Sequence, residues 1–134
     1  MTGYTMSVTL DRPYDETVAA VRESLAAQGF GVLTEIDVTA TLKQKLDVDV
    51  APQVILGACR PELAHRALGA VPSIATLLPC NVVVRSVDDD TVTLVEAIDP
   101  TAMMQLADDP ALHDVAADAR GRLRAALDSL EGTR

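Results

Sequence analysis

A chain of 134 residues, 49% hydrophobic and 23% charged, has the length and composition of one globular domain able to bury its own core. A net charge of −9 opposes attraction to phosphate backbones and anionic membrane surfaces, and an aromatic content of 2% removes the usual stacking platform for single-stranded nucleic acid. No apolar run approaches the roughly 20 residues of a membrane-spanning helix, and Met1 to Leu10 lacks a signal-peptide pattern, so a cytoplasmic protein without nucleic-acid or membrane partners is expected.

Met6, Val8 and Leu10 alternate with Ser7 and Thr9, the pattern of a half-buried strand. Asp11 ahead of Pro13 reads as a cap followed by an early helical proline. Tyr14, Val18, Val21 and Leu25 then recur at helical spacing until Gly29 stops the helix. Phe30 to Ile36 reads as a second strand. Asp37 is placed to cap a short helix carrying Val38, Leu42 and Leu46 on one face. Val54 to Ala58 is an uninterrupted run of apolar and small residues, consistent with a strand buried on both faces.

Pro61 opens a helix with Leu63, Ala64, Ala67 and Leu68 directed inward, and Pro72 with Ser73 starts a short helical piece through Leu77. Asn81 to Val87 and Thr91 to Ile98 are β-branched strands joined by Asp88, Asp89 and Asp90 as a hairpin. Asp99-Pro100 and Asp109-Pro110 each pair a cap with proline at the first helical position. The last helix aligns Leu112, Val115, Ala119, Leu123, Leu127 and Leu130 on one stripe, with Gly121 tolerated or packed closely. Its Arg120, Arg122 and Arg124 are expected to pair with Asp114, Asp118 and Asp128 as a solvated face. This order of elements predicts an α+β fold: a single, mostly antiparallel sheet of about five strands, with helices packed mainly on one face.

The chemistry-bearing residues concentrate in VILGACRPELAHRALGAVPSIATLLPCNVVV, from Val54 to Val84. Cys59 precedes a helix N-terminus, where the macrodipole and Arg60 are able to stabilise a thiolate. Cys80 follows Pro79 at a strand start. Antiparallel strands would bring the two cysteines to one end of the sheet, parallel strands to opposite ends. Free cysteine commonly serves as a small apolar filler, and that is the plainer reading. The other is a thiol redox or metal site from Cys59 and Cys80, with His65 as a third ligand.

Other constellations carry less. His113 beside Asp114 reads as a surface residue. The run Asp88 to Asp90 lacks the alternation of an EF-hand, and Gly29-Phe30-Gly31 is not a phosphate loop. Met103 and Met104 read as core or interface fillers. Glu35 and Glu96 lie within strands, where an inward carboxylate would acquire a raised pKa.

The segments GFGVLTEIDVTATLKQKL at 29–46, VILGACRPELAHRAL at 54–68, LLPCNVVV at 77–84 and VEAIDPTAMM at 95–104 together resemble the family known as domain of unknown function 302, through roughly residues 6 to 130. The resemblance rests on Gly57, Ala58, Cys59 and Pro61 and on Leu78, Pro79 and Cys80. It implies a compact α+β fold, one sheet with helices against it, and a homodimer. It implies no activity, cofactor or catalytic residue. The expected function is a non-catalytic module that binds a small-molecule ligand or a protein partner, with Cys59, Arg60, Cys80 and Asn81 as its ligand-binding residues. The thiol or metal site stands as the alternative, and an obligate structural homodimer as a third reading.

Overall fold

Alternation of apolar and polar residues builds the sheet. The computed structural model describes residues 3–88 and 91–131. Strands β1 (Thr5–Leu10), β2 (Gly31–Asp37), β3 (Gln53–Cys59), β4 (Cys80–Val87) and β5 (Val92–Ile98) form one sheet in the order β1-β5-β4-β3-β2, antiparallel at every pairing. The register places Val8, Val95, Val84 and Val54 in one row across β1, β5, β4 and β3, and all are buried. Met6, Ala97, Val82 and Leu56 form the next row. A one-residue slip would send both rows to the opposite face, so burial itself specifies the pairing.

That apolar face is sealed by helices α1 (Tyr14–Ala27) and α5 (His113–Glu131), which also pack against each other. From α1, Thr17, Val21 and Leu25 point inward at four-residue spacing; from α5, Val115, Ala119, Leu123, Leu127 and Leu130 do so. Helix α3 (Pro61–Ala70) and a 3-10 helix (Pro72–Leu77) form the β3-to-β4 connection, and α4 (Pro100–Met104) follows β5. Helix α2 (Val38–Leu46) joins β2 to β3 and has no buried residue. No described helix is long and apolar enough to cross a membrane.

The structure corrects several local expectations. Asp11 does not cap α1: Pro13 is the flanking residue, extended at φ −61° and ψ 154°, and Thr17 Oγ1 donates back to its carbonyl at 2.9 Å. Strand β3 is not buried on both faces: Ile55, opposite Val83, is half-exposed on the side away from the helices. Leu46 and Leu68 stay exposed, because α2 lies away from the core and α3 directs Leu63 and Ala67 inward instead. Arg120 pairs with Asp99 at 3.2 Å rather than with Asp114, whereas Arg122–Asp118 and Arg124–Asp128 form as expected. Asp89 and Asp90, from the expected hairpin turn, lie outside the described residues; Asp88 takes a left-handed φ of 52°.

Asp37, Asp99 and Asp109 cap their helices by accepting from Ala40, Thr101 and Ala111 backbone N–H groups, each at 2.9 Å. Asp99 also accepts from the Thr101 hydroxyl at 2.7 Å. Burial alone would raise its pKa, but the bonds from Thr101 and Arg120 outweigh this and hold the carboxyl below its ordinary value. A carboxylate lowered in the folded state stabilises above its unfolded pKa and loses that contribution as pH falls through the folded value. Asp99→Ala is expected to cost about 1–2 kcal/mol at neutral pH, a gap that closes in acid, as read by urea denaturation across pH.

Candidate functional site

The sheet carries two concave places: the end that holds the cysteines, and the face that the helices leave open.

Antiparallel pairing of β3 with β4 brings the cysteines to one end, with Cys80 directly opposite Ala58 and so diagonal to Cys59. Cys59 is half-buried at the entry to α3; Cys80 is buried. Between them lies a cavity of about 30 Å³, lined mainly by apolar groups such as Phe30, Leu63, Met104 and Val115, with Arg60 at its edge. That volume is on the scale of one or two waters, too small for a metabolite. Arg60 folds back over the α1 stop. Its Nε lies 2.9 Å from where a Cβ on Gly29 would stand, and Gly29 has a φ of +84° that a side chain rarely tolerates. The guanidinium pairs with Glu62 at 3.2 Å, while Nε is buried without a partner.

This setting does not produce the stabilised thiolate anticipated from the helix N-terminus. Burial, with Glu62 in the first turn of α3, raises the Cys59 pKa, and burial, then Cys59 nearby, pushes Cys80 up to about 11. Both thiols are therefore poor nucleophiles at neutral pH. His65 is exposed on α3 and does not line the cavity, and no group of His, Cys, Asp or Glu side chains suited to hold a metal occurs among the described residues. The structure thus joins Cys59, Arg60 and Cys80 and leaves His65 outside.

The sign of the Cys80 effect is testable. A thiol raised in the folded state stabilises fully below its unfolded pKa, and that stability is lost as pH rises through the folded value. Stability is expected to fall between about pH 9 and about 11 by roughly 2–3 kcal/mol, less so in Cys80→Ala, as measured by denaturation across that range. In a thiol-labelling assay at pH 7.5, Cys80 should react only after unfolding.

Asn81 belongs to the other face. Asn81, Val83 and Arg85 alternate with the buried Val82 and Val84 along β4 and line an open groove of about 730 Å³. Glu96 stands opposite Val83 on β5. One of its oxygens accepts from Thr5 Oγ1 at 3.1 Å, and the other lies 3.8 Å from Arg85. At the far end, Leu77 and Pro79 from the β3-to-β4 connection and Ala102, Met103 and Leu106 from α4 and the turn after it form an apolar wall with Ile98. Met103 is buried in the core, while Leu106 is 77% exposed.

A comparison with protein-family models matches residues 6–130 to Domain of unknown function DUF302. The chain belongs to the DUF302 family. Among solved structures, it is similar to the crystal structure of uncharacterized conserved protein DUF302 from Bacillus stearothermophilus: 35% identity and a TM-score of 0.85, over 95% of this chain and 98% of that one. No curated protein matches. Sequence reasoning placed a ligand at the cysteine turns and did not single out Arg85, Thr5 and Leu106, which line this groove. The signal that could have found Arg85 was the alternation on β4, which aligns it with Asn81 and Val83 away from the core.

Proposed function

We propose that this chain is a non-catalytic binding module whose working surface is the groove on the open face of the sheet. The observation that carries the reading is the contrast between the two places. The cavity beside the cysteines holds about 30 Å³, whereas the groove on the open face offers about 730 Å³ with an apolar wall at one end and a few polar groups at the other. Binding sites characteristically combine a mostly apolar concavity with a small number of placed polar groups. Glu96 has one oxygen bonded by Thr5 and the other facing Arg85, which fixes the polar end of the groove. Residues 1–134 act as one domain in this proposal, in a cytoplasm whose reducing conditions keep Cys59 and Cys80 as thiols.

A thermal-shift screen across metabolite classes tests it. A ligand at a hundred times its Kd stabilises by about 2.7 kcal/mol, roughly 10 °C for a domain of this size. A screen in which no class moves the melting temperature counts against the proposal.

A second reading concerns a partner. Leu33, Ile36, Leu46, Val48 and Val50 are each at least 39% exposed and lie close together in sequence on the arm formed by β2, α2 and the following loop. This favours a homodimer in which the arm is covered by a second copy. Light scattering at micromolar concentration should then give twice the chain mass, and Leu46→Lys should reduce it to that of a monomer.

A further inference from the structure

The sheet is sealed on one side only. Ile55 on β3, Val83 on β4, and Leu94 and Ile98 on β5 alternate with buried residues, so they point away from the helices and are half-exposed. The register joins Ile36 of β2 to Ile55, and Ile55 to Val83, in one aliphatic row. An antiparallel sheet with a solvated face ordinarily turns polar residues to that side. Resting on the homodimer reading above, we propose that the second copy packs face to face on this open side, with the arm of β2 and α2 as the margin of the same interface. Ile36 belongs to both the arm and the row, so the two surfaces are continuous.

Charge selects the occupant. At a net charge of −9, two copies repel wherever their acids face each other. The open face is the exception. Among the described residues, its strands turn outward one acid, Glu96, and one base, Arg85, which lie 3.8 Å apart. Glu35 and Asp37 of β2 fall opposite Leu56 and Val54, on the helix-covered side, where Glu35 pairs with Arg22 of α1. A basic partner would be matched by an acidic surface; a neutral aliphatic one suits a second acidic chain. A two-fold axis lying between the two sheets, midway between Arg85 and Glu96, sets each Arg85 against Glu96 of the second copy.

The face is also large enough. Five strands about 4.8 Å apart, each about six residues long at about 3.4 Å per residue, measure roughly 24 Å by roughly 20 Å, or about 480 Å² in projection. Each partner of a standard complex buries about 800 Å² of accessible surface. Side-chain relief on the sheet, together with Leu46, Val48 and Val50 on the arm, each at least 39% exposed, supplies the difference. Two aliphatic sheet faces pack about 10 Å apart with their side chains interdigitated. The groove lies toward β5 on the same face and then opens between the two copies.

Analytical ultracentrifugation of the full chain at micromolar concentration tests the interface, with a thermal melt of each variant to separate lost association from lost folding. The wild type should sediment at twice the chain mass. Ile55→Lys should weaken self-association about tenfold or more, and so should Arg85→Glu and Glu96→Arg taken singly. An equimolar mixture of those two charge variants should recover the dimer, because an acidic face then meets a basic one. A monomeric wild type overturns this interface and the homodimer reading together. A dimer that survives Ile55→Lys and both charge reversals but is broken by Leu46→Lys overturns the open face alone and leaves the arm as the contact. A mixture that stays monomeric overturns the two-fold placement of Arg85 against Glu96.

Discussion

Gly57→Val should lower stability by about 3 kcal/mol, close to 10 °C in melting temperature, although it places a good strand-former in the middle of a strand. Gly57 is buried in β3, opposite Thr34 on β2 and Asn81 on β4. A Cβ there would overlap the Thr34 hydroxyl and stand 2.9 Å from Pro79 Cγ. Neither neighbour yields easily: Thr34 is β-branched on a paired strand, and Pro79 is a ring. Thr34→Ala alone should change stability by less than about 0.5 kcal/mol, since Thr34 is exposed. In a Gly57→Ala background, the same change should instead restore part of the loss. The coupling between the two sites, read from a double-mutant cycle in urea, isolates the steric cause. A fully stable Gly57→Ala protein would contradict the account. Because Pro79 also lines the groove, the destabilised variant should bind less of any ligand the groove takes.

Two substitutions on α5, separated by one helical residue, are expected to act in opposite directions. Leu123→Ala should cost about 3 kcal/mol: Leu123 is 1% exposed in the stripe that seals the sheet, and truncating such a leucine loses both its transfer energy and the contacts around the space it leaves. Gly121→Ala should add roughly 0.5–1 kcal/mol. A Cβ at Gly121 meets no atom within 4 Å, so the helix gains propensity without strain. The glycine is thus a tolerated weakness and not a close contact. Thermal melts of both variants test the pair; a destabilised Gly121→Ala would mean that the α5 surface is covered by something in solution.

Most of the fold was legible because its signals are local. The alternation at Met6, Val8 and Leu10, the Asp-Pro pairs at 99–100 and 109–110 and the long stripe of α5 each report their element directly. What local signals could not report was contact. Asp11 has the right residue type for a cap, but the extended Pro13 sets the start of α1 later. Val54 to Ala58 reads as doubly buried because Ile55 is as apolar as its inward neighbours, and residue type does not tell that it shares the open face with Val83. The site divides in the same way. The juxtaposition of Cys59 with Cys80 followed once the strands were antiparallel, but their raised pKa values depend on burial and on Glu62, which residue type alone misjudged. Asn81 was singled out with them, yet its parity on β4 sends it to the opposite face.

Strand β2 ends the sheet, and its pairing with β3 shifts register between Val32 and Thr34. Beyond that irregularity it carries Glu35 and Asp37. Two molecules that tried to zip together along this border would meet an interrupted row of amide groups and would set acid against acid. Strand addition at this border is thereby disfavoured, so the arm is able to keep aliphatic side chains in water without pairing through the β2 backbone.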